Sequence, residues 1–435
     1  MSTAPNDDAD ECRRRARIQR RNGDILLAQQ SFARLLELVP GDIEALQFLS
    51  SGAATLGVSE RAIGLLRDIE QAHPQDAPTL HHLGAAQLDG GDFASAVDSL
   101  RRCVQLAPTM FVARLRLATA LEQLGQPQAA LIEYFKALAS AQAQGRWISD
   151  TTTAPALRDV VKRAMNYVDA GRQQLFEETL EPLRQRYGRS ELTRVDQCLA
   201  IFLHQQPANL PDPRQAPKFL YFPGLPPTPF YARERFPWQD ALEAGAPRIR
   251  EELHEVLAEP QHLESFLQSG LPEEAKAYLR SSGDTPAAWD AYFFYRHGER
   301  FDAHCTRCPQ TAELLAQASM VRIRDHAPET LFSVLRPGTH ILPHRGVTNT
   351  RLVTHLPLIV PPDCALRVGG QIHAWQADHC VTFDDTFEHE AWNRSTQTRV
   401  VLILDSWNPD LSEAERAAVT DLVAAIGDFN TSAAL

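Results

Sequence analysis

The sequence predicts an α + β multidomain chain. An N-terminal α-helical solenoid is followed by a C-terminal double-sheet jelly roll with flanking helices. Three observations predict this. Gly23, Gly57, Gly91 and Gly125 recur every 34 residues, with Ala28, Ala62, Ala96 and Ala130, Pro40, Pro74 and Pro108, and Leu49, Leu83 and Leu117 in the same phase. Nine prolines then fall between Pro207 and Pro237, against eight in the preceding 206 residues. Beyond Trp289, short runs rich in β-branched and aromatic residues alternate with turn residues.

Each mark of the repeat has a mechanical reason. Glycine suits the turn between two helices, where a positive φ costs it nothing. Alanine lets paired helices approach closely, and proline ends a unit because it cannot continue a helix. A 34-residue helix–turn–helix period resembles that of tetratricopeptide repeats, over about residues 23–140. Three and a half such units suffice for a small solenoid, whose concave surface suits a peptide or a partner protein. The plainer reading is an array that packs on the next module or dimerises. Residues 1–22 form an N-terminal segment, and residues 141–206 continue as apolar helical pattern without the repeat marks, read as capping helices.

Proline as dense as in 207–237 excludes helix interior and marks the junction into the second module. Helical stretches are expected at 239–258 and 261–281. Strands are expected at Thr330–Leu335, Arg351–Val360, Ala365–Val368, Cys380–Phe383 and Arg399–Leu404, punctuated by PGT, GG, DD and NP. No room is left between them for the crossover helices of a parallel sheet, so the strands should pair antiparallel.

Composition narrows the class of function. The 435 residues carry 43 basic and 55 acidic side chains, a net charge of −12, which argues against nucleic acid held by bulk charge. Seven cysteines, an odd number, do not form a disulfide framework and suit a reducing compartment. The first residues lack an apolar signal core, and no window holds eighteen uninterrupted apolar residues, so a cytoplasmic protein without a membrane span is expected.

Chemistry concentrates in the histidines of the β region: His340, His344, His355, His373, His379 and His389. A lone strand histidine is ordinarily a hydrogen-bonded structural residue, and His340, His373 and His379 are read that way. His344 ends a β run and opens the turn His344-Arg345-Gly346, while His389 closes FDDTFEH. Arg399 stands ten residues later in the apolar strand RVVLIL, where a buried guanidinium requires an anionic partner. Two histidines near a sheet mouth with a buried arginine one strand beyond is the arrangement of jelly-roll Fe(II)/2-oxoglutarate oxygenases. The carboxylate commonly found two residues after the first histidine is absent; Gly346 stands there.

The stretches LRPGTHILPHRGVTNTRLVTHLPLIVP (335–361), FDDTFEHEAWN (383–393) and RVVLILDSWNPDLS (399–412) resemble the aspartyl/asparaginyl β-hydroxylase family, as do YFPGLP (221–226) and FPWQDALEAGAPRIREEL (236–253). The likeness covers roughly 218–425 and implies a double-stranded β-helix whose iron is held by two histidines alone. It further implies that His344 and His389 are the metal ligands, that Arg399 clamps the far carboxylate of 2-oxoglutarate, and that Ser333 and His355 support the cosubstrate. Asp385 matches an acidic residue able to hold metal-bound water. The pattern departs at Val353, two residues before His355, where family members carry an arginine. That implies a weaker grip on cosubstrate or substrate, or a different substrate.

The implied activity is hydroxylation, with Fe(II), 2-oxoglutarate and O2, of an Asp or Asn side chain at its β-carbon in a peptide or protein that the repeats present. Two rivals stand beside it. One is hydroxylation of a lipid acyl chain or a free amino acid on the same fold. The other is a non-catalytic scaffold with a degenerate barrel. Cys305-Thr306-Arg307-Cys308, a lone CxxC beside His304, makes a poor zinc site without a second pair.

Overall fold

The computed structural model describes residues 5–39, 41–55, 59–267, 278–281 and 286–434, and the chain divides into two compact units, 1–174 with 429–435, and 175–428. In the first unit, helices follow one another as α1 (Pro5–Asn22), α2 (Ile25–Leu38), α3 (Ile43–Thr55), α4 (Ser59–Ala72), α5 (Ala77–Asp89), α6 (Phe93–Leu106), α7 (Phe111–Gln123) and α8 (Pro127–Ala143). The repeat marks fall where the mechanics require. Gly23, Gly91 and Gly125 turn between helices at φ of 84°, 80° and 68°. Ala28, Ala96 and Ala130 are fully buried where paired helices meet. Pro40 and Gly57 lie outside the described residues. Asp76 and Asp92 cap α5 and α6, their carboxylates accepting the backbone N–H of Thr79 and Ser95. The N-terminal segment that carries no repeat mark is helical as well.

In the second unit, α10 (Thr193–Phe202) and the end of α9 (Arg158–Tyr187) pack on α14 (Glu413–Ser432) through Leu180, Val195, Leu199, Leu422 and Ile426. The remaining elements include α11 (Gln239–Ala258), α12 (Asp302–Arg307), α13 (Pro309–Gln317) and strands β1 (Phe230–Tyr231), β2 (Glu264–Ser265), β3 (Leu279–Ser281), β4 (Trp289–Arg296), β5 (Glu299–Arg300), β6 (Thr330–Leu335), β7 (Thr339–His344), β8 (Arg351–Ile359), β9 (Cys364–Val368), β10 (Gln371–His373), β11 (Val381–Phe383), β12 (His389–Asn393) and β13 (Arg399–Trp407). They form two antiparallel sheets, β1-β11-β8-β13-β6-β4-β2 with β5 against β4, and β10-β9-β12-β7-β3.

The strand period of two sorts the large sheet into two chemistries. On one face Val400, Leu402 and Leu404 of β13 and Leu356 and Leu358 of β8 meet α11, whose Leu242, Ala246, Ile249, Leu253 and Val256 recur at helical spacing. On the other face Val353, Val401, Phe383 and Leu335 meet Ile341, Leu366, Val368 and Ala391 of the small sheet. The polar residues of interest lie on this second face.

The helix expected at 261–281 is corrected at both ends. Residues 264–265 form β2, paired with β4, and residues 279–281 form β3, paired with β7; residues 268–277 lie outside the described part. Edge strands of two and three residues are too short to carry an alternation that sequence reading can detect. Across 351–360 and 399–404 the expected strands appear at 351–359 and 399–407, and 239–258 is helical throughout.

Two glycines of the repeat separate conformational from packing cost. A Cβ at Gly125 meets nothing, so Gly125→Ala should lower stability only by its left-handed backbone, about 1 kcal/mol. A Cβ at Gly84 would overlap the Leu100 side chain, so Gly84→Ala should cost more, about 1–3 kcal/mol of overpacking. Thermal unfolding of the two variants checks the order, and equal midpoints would contradict it.

Candidate active site

The small sheet sets two histidines side by side. In the antiparallel pairing of β7 with β12, His344 stands directly opposite His389, and their ring centroids are 4.1 Å apart. Each ring is oriented by its own chain: Nδ1 of His344 donates to the Leu342 carbonyl at 2.8 Å, and Nδ1 of His389 to the Phe387 carbonyl at 3.1 Å. A carbonyl only accepts, so Nδ1 carries the proton and each Nε2 presents a lone pair. Burial, joined for His344 by repulsion from His389, brings both imidazoles down to about 4. They are therefore neutral near pH 7 and fit to bind a metal ion. Among the described residues no three His, Cys, Asp or Glu side chains converge as a metal cluster.

Position 346 explains the missing carboxylate in steric terms. A Cβ built on Gly346 would overlap the Asp385 carboxyl group, and the Gly346 N–H donates to the Asp385 carbonyl at 2.7 Å. Asp385 thus fills the space that a side chain two residues after His344 would take. Burial raises its acid to about 6, against the pull of Arg351, and its Oδ1 is buried without a hydrogen-bond partner among the described residues.

Arg399 is the largest fully buried side chain, at 1% exposure. Nη1 lies 3.4 Å from both the carbonyl and Oγ of Ser333, and the guanidinium sits 4.8 Å over the Trp375 ring. Its Nε has no partner, and no carboxylate pairs with it among the described residues. Burial lowers its ionisation to about 10, which leaves it charged near pH 7. An unpaired cation in such a place is costly unless an anion joins it. His355 points to the same region, buried, neutral and with Nδ1 unpartnered. The Ser333 hydroxyl also accepts from Trp289 Nε1 at 2.9 Å.

One cavity of about 150 Å³ brings all six sequence-predicted residues together: Ser333, His344, His355, Asp385, His389 and Arg399 line it. The charged groups that sequence reading missed are Arg351, Glu329 and Asp405, and Val353 completes the β8 row between Arg351 and His355. Arg351, Val353 and His355 are alternate residues of β8, and Asp405 is six residues beyond Arg399 on β13, so strand period alone would have found both charges. Burial and nearby Asp405 bring Glu329 to about 7. A second pocket of about 290 Å³ shares both histidines, Arg351 and Asp385 and adds Lys218, Leu267 and Tyr278.

Other candidates resolve into structural roles. His340 binds Glu390, which also pairs with Arg367, and Glu390 points away from His389 as strand alternation requires. His379 bonds the Ala377 carbonyl, and His373 packs beside Phe230. Cys305 and Cys308 are buried thiols whose ionisation burial pushes up, to about 12 for Cys308, and His304 bonds the Phe293 carbonyl.

Residues 243–409 match the family described as aspartyl/asparaginyl β-hydroxylase, and residues 77–110 match a tetratricopeptide repeat. An aspartate β-hydroxylase domain-containing protein 2 from Mus musculus is 30% identical over 256 residues, 57% of this chain and 70% of that one. The chain belongs to the aspartyl/asparaginyl β-hydroxylase family. A Xenopus tropicalis protein of the same name is 27% identical over 341 residues, covering 76% of this chain and 87% of that one. An ornithine lipid ester-linked acyl 2-hydroxylase from Rhizobium tropici is 34% identical over 189 residues, 43% of this chain and 63% of that one. The proteins this chain is similar to are thus named for hydroxylation of different groups. The β-hydroxylase match runs from within α11 to just past the end of β13, and so contains both histidines and Arg399. No helix among the described residues is long and apolar enough to cross a membrane.

A divalent ion held by these imidazoles would carry their pH dependence. Ordinary histidines, at 6.5, would lose a divalent ion as pH falls through 6.5; these, held at about 4, should keep it until pH falls toward 4. Calorimetric titration with Co(II) between pH 7 and pH 4.5 checks this, and a steep loss beginning near 6.5 would contradict it. His389→Ala should abolish uptake at every pH.

Proposed function

We propose that the chain is an Fe(II)/2-oxoglutarate-dependent dioxygenase, built on a double-stranded β-helix, that hydroxylates an aspartyl or asparaginyl side chain of a peptide or protein. The observation that carries this reading is the pairing of two neutral histidines, each with Nδ1 bonded to a backbone carbonyl, in one cavity with a buried guanidinium that has no ion-pair partner among the described residues. The donor set fits the group: His344 and His389 would hold iron, while Asp385 would bond a water on it. Arg399 and Ser333 would take the distal carboxylate of 2-oxoglutarate, whose charge relieves the desolvated guanidinium. Iron with 2-oxoglutarate and O2 supplies the oxidising chemistry, releasing succinate and CO2 as a C–H bond becomes C–OH.

The protein's own part is orientation and exclusion of water. Trp375 under the guanidinium and Trp289 on Ser333 fix the cosubstrate end. Apolar Leu331, Ile341, Val353, Leu366, Phe383 and Ile403 dry the remaining wall. In this reading the oxygenase module spans about 218–425, and the repeats of about 23–140 present the polypeptide, in a cytoplasmic protein. The apolar wall, with Val353 where an arginine was expected, favours a second reading, hydroxylation of an aliphatic acyl chain, and the Rhizobium relative's name supports it.

Anaerobic addition of Fe(II) and 2-oxoglutarate should develop a metal-to-ligand charge-transfer band. The band should need both histidines, and Arg399→Met should raise the cosubstrate concentration for half-saturation about tenfold or more, as expected on losing a charge-assisted pair. No band in the unaltered protein, or the same band in His389→Ala, would overturn the proposal. Product mass spectra with aspartyl peptides and with acyl lipids then separate the two substrate readings by which gains one oxygen.

A further inference from the structure

The cavity holds an ion network that the ligands and cosubstrate contacts do not account for. Arg351 of β8 forms a close ion pair with Oδ1 of Asp405 and lies 3.4 Å from Oδ2 of Asp385. Asp405 is itself anchored by backbone: its Oδ2 accepts the Glu329 N–H at 2.9 Å, and its carbonyl accepts the Val321 N–H at 3.1 Å. A chain of contacts therefore runs from the β13 backbone through Asp405 and Arg351 to Asp385. At its end, Asp385 lies over Gly346 with Oδ2 engaged and Oδ1 unpartnered. Burial opposes the charge on Arg351, but Asp405 and Asp385 together hold its ionisation above the usual range, so the guanidinium is a permanent cation. Of the two Asp385 oxygens, Oδ2 is tethered and Oδ1 is buried without a partner among the described residues, and the side chain lines the cavity that both histidines also line.

We infer that Arg351, fixed by Asp405, is a positioning residue that holds Asp385 in the space above Gly346 with Oδ1 turned to the metal face, and that this brace lets two histidines suffice as protein ligands. The inference rests on the metal-site reading of His344 and His389. Arg351 touches neither metal nor cosubstrate in this account; it acts through Asp385. Two consequences follow from the geometry. The brace matters only while Asp385 carries the carboxylate. And because the Gly346 Cβ position and the Asp385 carboxyl compete for one space, the carboxylate can be moved from 385 to 346 only if position 385 is emptied at the same time.

The test is Co(II) binding to the full chain by calorimetry, with the Co(II) visible spectrum and thermal unfolding of the metal-free protein alongside. Arg351→Met should weaken Co(II) about tenfold or more and shift the Co(II) spectrum, with Arg351→Lys falling between it and the unaltered protein. Asp405→Asn should act in the same direction and serves if Arg351→Met does not fold. In an Asp385→Asn background, Arg351→Met should change the affinity less than about twofold. The exchange Gly346→Asp with Asp385→Gly should bind Co(II) at least as tightly as the unaltered protein and be indifferent to Arg351→Met, whereas Gly346→Asp alone should bind worse. Loss of equal size in the Asp385→Asn background, or unchanged Co(II) affinity in a folded Arg351→Met or Asp405→Asn protein, would overturn the inference. Failure of the unaltered protein to take up Co(II) would overturn the metal-site reading instead, so the two failures are distinct.

Discussion

The pairing of β7 with β12 is the constraint on which the rest of this site depends. Because side chains alternate across a strand, a slip of one residue would send either His344 or His389 to the opposite face of the sheet. The register is held from both sides: β12 runs between β7 and β9, with His389 opposite His344 on one flank and Val368 on the other. An irregularity in the β7–β12 pairing falls between His389 and Ala391, where local distortion re-aims a side chain. Each imidazole is then turned by a hydrogen bond to the carbonyl two residues earlier in its own chain. Position, rotation and tautomer of both rings thus come from backbone alone.

Around this pair the fold accepts electrostatic cost. The cavity contains a guanidinium at 1% exposure without an ion-pair partner among the described residues, two imidazoles kept neutral by burial, and a carboxyl with an unpartnered oxygen. None of these favours folding, and in the proposed reading each would be satisfied by a bound group: a metal for the imidazoles, an anion for Arg399, a metal-bound water for Asp385. The surrounding packing carries the burden. Apolar rows from both sheets close on the cavity, while α11 covers the opposite face of the large sheet. A chain of net charge −12 thereby lines this cavity with a buried guanidinium that has no carboxylate partner among the described residues.

Much of this was legible in the sequence, for physical reasons that vary by element. The strands at Thr330–Leu335 and Arg399–Trp407 read as short continuous apolar runs because both of their faces are buried, and the helix Gln239–Ala258 carries a helical pattern because it buries one face. Arg399 was legible because a charge inside RVVLIL has no innocent explanation. Arg351 and Asp405 obey the same logic but were overlooked, since each sits near a strand end where a charge reads as solvent-facing. Trp375 lies in a loop, and its place under Arg399 depends on tertiary packing that no local pattern encodes. The short edge strands β2 and β3 were read as helix because pairing to a distant partner, not propensity, makes them strands. The absence of an acid at 346 became intelligible only with Asp385 seen against Gly346.

The most direct measurement is anomalous diffraction from crystals grown anaerobically with Mn(II) and 2-oxoglutarate. The account predicts one strong peak within bonding distance of Nε2 of both His344 and His389, with the distal carboxylate of 2-oxoglutarate on Arg399. A peak elsewhere, bonding through Nδ1, or a cosubstrate bound away from Arg399 would contradict it.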